Sequence, residues 1–260
     1  MNENFNIFYI ALEQELERIN FMENWLKSTG LNYSRMPGIK VDDPNDYIDC
    51  YDSEKRLNKY GYHFNKSEIG CFLAHKNCWQ KIISTGVPSL ILENDIALKK
   101  GVNLEGILLD VLQSQDLSDI VRLSGIFEDK EIISRKVFTG ANHTTIYQTL
   151  GDPVGAGAYF LFPHGAAVLD SLSSKFYDPL DIYLSSVWIH KLRFRSVKPF
   201  PFEIRSIQNQ DKEMNGKIFE SSIGDRIKPK QNKIERLKIE LYRFKNDIKK
   251  IVYLPFNFFK

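Results

Sequence analysis

Two carboxylates, Glu93 and Asp95, stand at the end of the apolar run Leu90-Ile91-Leu92, with Asn94 between them. In an extended strand alternate side chains share a face, so this spacing predicts both carboxylates pointing the same way. Such a pair suits a hard divalent cation carrying the phosphates of a nucleotide; a plain acidic turn at a strand end is the competing reading. Upstream, Ser67 to Trp79 reads as a helix with Asn65 and Glu68 as a capping box. One flank carries Glu68, Cys71, His75 and Cys78, while Ile69, Phe72, Leu73, Trp79 and Ile83 form an apolar face. Cys71, His75 and Cys78 lack a fourth ligand at any usual zinc spacing. The favoured reading is a packed helix whose N-terminus faces a ligand, with Glu68 and His75 as hydrogen-bonding groups.

These groups need a scaffold. Residues 5–12 read as a buried strand, and the helical pattern after them has Leu16, Ile19, Met22 and Leu26 as its apolar positions and Gly30 as its stop. Leu31 to Met36 reads as a second strand, so the chain opens β-α-β, the start of a parallel α/β sheet. Residues 42–66 are polar and poorly periodic, a loop with a short helix. After Asp95 the pattern predicts a helix over 104–112, a strand over 119–123 and edge strands within 125–150. Gly155 and Gly157 lead into a strand at 159–162; helices follow at 166–172 and from Pro179 to His190, then a last strand at 193–197. The glycine run lacks the Lys-Ser/Thr end of a phosphate loop.

The 260 residues, 43% hydrophobic and 26% charged, describe a soluble globular chain with one large domain and an appendage. No apolar run approaches the roughly 20 residues of a membrane span, and the first residues lack the features of a secretory signal. Three cysteines supply no disulfide framework, so reduced thiols in the cytoplasm are expected. The net charge of +2 hides an asymmetry: residues 228–260 carry ten Lys/Arg against three acids, leaving the body net negative. A mildly acidic body argues against a nucleic-acid binder. We therefore divide the chain into a domain of residues 1–227 and a basic tail of residues 228–260. In the tail, Ile234, Leu237, Leu241, Phe244, Ile248 and Ile251 form a heptad stripe. It has three readings: packing on the body, a helix for a homodimer, or an amphipathic helix on an anionic membrane.

The block Ser67-Glu68-Ile69-Gly70-Cys71-Phe72-Leu73-Ala74-His75, four residues before Trp79, resembles the central motif of glycosyltransferase family 25, the lipooligosaccharide-biosynthesis sugar transferases. Glu93-Asn94-Asp95, Gly155-Ala156-Gly157-Ala158-Tyr159 and Pro179-Leu180-Asp181 match its later segments. Asn94 stands in place of the family's middle Asp, and Ala74 in place of the Ser before the His. The resemblance covers about residues 5 to 205 and implies an α/β GT-A-like fold with a mostly parallel central sheet. It implies transfer of a hexose, galactose or glucose, from a UDP-sugar to a saccharide hydroxyl of lipooligosaccharide or lipopolysaccharide, with inversion. A divalent cation, Mn²⁺ or Mg²⁺, would be held by Glu93 and Asp95, and His190 would complete its shell unless it is simply a buried histidine. Asp181 is the first candidate for the base that an inverting displacement needs, with an ordinary helix cap as its alternative role, and Asp152 is the competing carboxylate. Ala11, Leu12, Arg18, Glu68, His75, Asn94 and Gly157 are the expected donor-binding residues. The expected location is cytoplasmic, peripheral on the inner face of a bacterial inner membrane. The alternative is a saccharide- or nucleotide-binding module without turnover, its metal motif degraded at Asn94.

Overall fold

Strand β1 (Asn6–Ala11) is buried along most of its length and pairs in parallel with β2 (Tyr33–Pro37) on one side and β3 (Ser89–Glu93) on the other. The computed structural model describes residues 4–125, 133–149, 155–204, 229 and 231–258. Between β1 and β2 runs helix α1 (Leu16–Thr29), closed by Gly30 in the left-handed conformation. Its buried side is Arg18, Ile19, Met22 and Leu26, whereas Leu16, expected inside, is 65% exposed. Arg18 takes that place because a polar partner waits for it at the end of β3.

A 3₁₀ turn (Pro44–Tyr47) and helix α2 (Ser53–Tyr60) fill the polar stretch, and α3 (Lys66–Thr85) follows with the expected Asn65–Glu68 capping box. Along α3 the apolar face is buried at Ile69, Phe72 and Trp79 and half-buried at Leu73, while Ile83, near the C-terminal end, is exposed. β3 ends at Glu93, and Asn94-Asp95 form a turn into the short strand β4 (Ile96–Leu98). The two carboxylates therefore meet through a turn, not through alternation along one strand.

Beyond them come α4 (Leu104–Gln113), β5 (Ile120–Arg122), an edge hairpin of β6 (Ser134–Thr139) and β7 (Thr145–Thr149), and β8 (Ala158–Leu161). Helices α5 (Pro163–Leu172), α6 (Leu180–Ser185) and α7 (Val187–His190) precede β9 (Phe194–Val197) and β10 (Phe202–Ile204). The central sheet has eight strands in the order β2-β1-β3-β8-β5-β9-β7-β6. Six of them run in one direction and only β8 and β7 oppose it, as their antiparallel pairings require. β10 was not expected; it pairs with β4 in a separate ribbon.

The sheet separates two apolar layers, and β3 supplies both. Ile91 packs on the side of Phe72 and Trp79 from α3 and Leu169 from α5, while Leu90 and Leu92 pack with Met22 and Leu26 from α1 and Leu108 and Val111 from α4. Because side chains alternate, Glu93 follows Ile91 and emerges on the α3 side. The last element, α8 (Lys233–Phe258), lies against α2 and α7. Ile239 and Phe258 are buried, Arg243 Nε donates to the Lys59 carbonyl at 2.8 Å and Gln231 Nε2 to that of Gly61 at 3.0 Å. Its heptad stripe is turned away from the body, with Ile234, Leu237 and Phe244 each at least 60% exposed, so packing of that stripe on the body is corrected. Tyr253 and Phe258, near the C-terminal end of α8, also meet the body: Lys191 lies 3.8 Å from the Tyr253 ring and Arg135 5.8 Å from that of Phe258.

Candidate active site

The tip of β1, the loop after β2, the first turns of α3 and the Glu93-Asn94-Asp95 turn enclose a cleft of about 330 Å³. Close backbone approach makes this possible. A Cβ on Gly70 of α3 would fall 2.1 Å from the Ile39 carbonyl oxygen, so only glycine lets the helix touch the loop that forms the facing wall. The first turns of α3 add Lys66, Ser67, Cys71 and His75 to the lining, and the loop adds Lys40.

Glu93 is held from behind. His75 Nε2 lies 3.4 Å from Glu93 Oε1 and Cys71 Sγ 3.9 Å from the same oxygen. His75 Nδ1 is 2.8 Å from the Tyr159 hydroxyl, which also accepts from Trp79 Nε1 at 2.9 Å. Indole is only a donor, so the hydroxyl hydrogen of Tyr159 is directed to His75 Nδ1, and the imidazole keeps its own proton on Nε2, facing Glu93. The run Trp79, Tyr159, His75, Glu93 is thus polarised toward the carboxylate. Burial and the charge of Glu93 also push the Cys71 thiol well up, leaving it a protonated donor.

Asn94 faces a different set. Arg18 Nη1 donates to its Oδ1 at 3.0 Å, and its Nδ2 donates to Glu15 Oε2 at 2.8 Å. Glu15 also accepts the Leu12 amide at 3.0 Å and pairs with Arg18 at 3.6 Å. Glu15 was absent from the expected set, although a charged residue three before Arg18 on the same helix was the available signal. Asp95 is the strained member. Its Oδ1 is buried without a hydrogen-bond partner, and its pKa is raised from 3.8 to about 7 by burial first and by Glu93 second, against the pull of Arg18.

The structure thus brings Ala11, Leu12, His75, Glu93, Asn94 and Asp95 to one cleft, with Arg18 directly behind Asn94. The Ala11 carbonyl accepts from Gly38 at 2.8 Å and the Leu12 amide is held by Glu15, so the backbone contacts expected there are already used within the protein. Gly157 sits behind Glu93: its carbonyl accepts the Glu93 amide at 2.8 Å, and a Cβ there would meet Ile96 at 2.8 Å. Glu68 is not in the lining. It closes the α3 cap, accepting the Asn65 amide at 3.0 Å, and faces Arg56 at 4.0 Å, both side chains buried. His190 is likewise elsewhere. Its Nε2 donates to the Leu184 carbonyl and its Nδ1 accepts the Leu192 amide, each at 3.0 Å, while burial lowers its pKa to about 4. It is a neutral histidine fastening the α6–α7 corner, with no lone pair left for an ion. Asp181, in the first turn of α6, accepts the Ile182 amide at 2.8 Å, and its charge acts on both Cys71 and Tyr60. Asp152 lies outside the described residues.

A divalent cation fits the donor set. Two carboxylates, one with a buried oxygen lacking any partner and a pKa raised by burial and by its neighbour, are the groups that a hard cation satisfies. The nearby Cys71, His75 and Glu93 also lie close enough to share an ion.

The profile of glycosyltransferase family 25 (LPS biosynthesis protein) matches residues 4–184. The chain is 26% identical over 184 residues to "Inactive glycosyltransferase 25 family member 3" of Mus musculus. The match takes in 65% of this chain and 29% of that protein, so the chain spans under a third of the relative's length. A solved glycosyltransferase involved in glycosylation of the major capsid of PBCV-1 aligns with 74% of this chain and 80% of its own, at 11% identity and a TM-score of 0.34. The matched residues include every residue lining the cleft, from β1 through α3 to the Glu93–Asp95 turn, and the chain belongs to glycosyltransferase family 25.

Proposed function

We propose that the chain is an inverting, metal-assisted hexosyltransferase that moves galactose or glucose from a UDP-sugar to a saccharide hydroxyl of lipooligosaccharide or lipopolysaccharide. The observation that carries this reading is the paired carboxylate turn, Glu93 and Asp95, with the Asp95 oxygen buried and unpartnered beside a cleft that also holds Lys40 and Lys66. In that reading Glu93 and Asp95 would hold Mn²⁺ or Mg²⁺, which would supply charge neutralisation for a departing diphosphate. Lys40 and Lys66 add positive charge on the facing wall. His75, kept in one tautomer by Tyr159, fixes the Glu93 carboxylate. Asp181 is the proposed base: the acceptor oxygen forms its bond to the anomeric carbon, the bond to phosphate breaks, UDP departs, and the hydroxyl proton passes to Asp181.

The test is incubation with UDP-galactose or UDP-glucose, with and without Mn²⁺, and mass analysis of truncated lipooligosaccharide. A gain of one hexose, dependent on Asp95 and lost in Asp181→Asn, is expected. UDP binding without turnover would instead identify a binding module, a reading favoured by the inactive mouse relative and by Asn94. Neither binding nor turnover would overturn both.

A further inference from the structure

We infer that the outward face of α8 is a docking surface for an anionic lipid membrane, lying on the bilayer rather than crossing it. Ile234, Leu237, Leu241, Phe244, Ile248 and Ile251 follow one another along this face, each between 45% and 68% exposed. Single exposed leucines are ordinary on a protein surface, but an unbroken apolar line over the length of a helix is not. The face cannot turn inward, because the opposite side of α8 is occupied. Ile239 is buried, and Arg243 and Gln231 hold the carbonyls of Lys59 and Gly61.

Charge decides what covers the stripe. Lys238 and Lys245, each one residue after an apolar member, run along one edge, while Lys233 and Arg236 flank the other together with Glu240; all are exposed. From Lys233 to Phe258 the helix has seven Lys/Arg and three acidic residues. A second copy laid stripe to stripe would bring two helices of the same net positive charge together, whereas anionic headgroups are complementary to that charge. The lysine stems reach past the apolar line with their ammonium groups at headgroup level. Among the described residues no helix is long and apolar enough to cross a membrane, which leaves the interfacial position. Because α8 is hydrogen-bonded to α2, adsorption would hold the catalytic cleft in a fixed orientation to the lipid surface. This inference stands apart from the transferase reading, since vesicle binding requires neither donor nor turnover.

The experiment is co-sedimentation of the full chain with vesicles of phosphatidylcholine alone or mixed with phosphatidylglycerol. Binding is expected only to the mixed vesicles and should weaken as salt is raised. Leu241→Asp with Phe244→Asp should abolish it. Lys238→Gln with Lys245→Gln should reduce partitioning about fivefold per lysine. All four residues are solvent-exposed, and unchanged circular dichroism of each variant shows that the fold persists. Equal binding to both vesicle types, or none to either, overturns the proposal. So does a dimer in sedimentation equilibrium that the Leu241/Phe244 variant dissolves, which would assign the face to a second copy.

Discussion

At the scale of single residues the site is a negotiation between carboxylates. Asp95 has a folded-state pKa near 7 against 3.8 for the free side chain, so the folded protein favours its protonated form. The sign follows from that difference: the contribution to stability is present in acid and is lost as pH rises through about 7. In the presence of chelator, Asp95→Asn should therefore raise the melting temperature more at pH 8 than at pH 5. Mn²⁺ should stabilise the parent protein at pH 8 and leave the variant unmoved; thermal unfolding at the two pH values, with and without the ion, checks both. Asn94 is matched to Glu15 by its amide hydrogen. Asn94→Asp would set two carboxylates at hydrogen-bond distance and cost about 1–3 kcal/mol, and Glu15→Gln in the same chain should recover most of it. A double-mutant cycle by urea unfolding reads the coupling directly, and purely additive effects would contradict the pairing.

Element-scale behaviour turns on how closely α3 approaches its neighbours. Helix propensity alone would make Gly70→Ala favourable by up to about 1 kcal/mol. The 2.1 Å approach of a Cβ to the Ile39 carbonyl is an overlap with backbone, and overpacking costs about 1–3 kcal/mol. The clash should win: the variant is expected to unfold at lower urea and to bind UDP more weakly, since Ile39 sits in the wall carrying Lys40. Greater stability with unchanged UDP affinity would show that the loop yields freely. The α6–α7 corner depends on neutral His190. Its pKa of about 4 lies below the ordinary 6.5, so its contribution is present above pH 6.5 and is lost as pH falls toward 4. His190→Asn should flatten the acid side of the stability profile between those values, at some loss of stability at neutral pH.

Over the whole molecule, β3 joins the two apolar layers and the site. Leu92 is fully buried between β1 and β8 on the α1 and α4 side. Leu92→Ala should cost about 2–5 kcal/mol, and because Glu93 follows it directly, nucleotide binding should fall along with stability. Guanidinium unfolding and UDP titration on the same variant separate a global loss from one confined to the site. The basic helix α8 rides on this body by its inner face, leaving the outer face for the lipid surface proposed above.

Local pattern alone determined the opening β-α-β unit, the capping box at Asn65, the glycine stops, the edge strands and the family, because propensity, spacing and motif are short-range properties. It also picked out Glu93, Asp95 and His75. Tertiary structure decided what each group faces. Glu68 and His190 have the residue types of a ligand set, yet one is consumed by a helix cap and a buried arginine, the other by two backbone groups. Glu15 and Tyr159, by contrast, become parts of the site only because α1 and β8 are brought against β3 from far along the chain. The direction of the α8 stripe was hidden for the same reason. A heptad records which residues share a face, but only packing against α2 settles that this face looks outward.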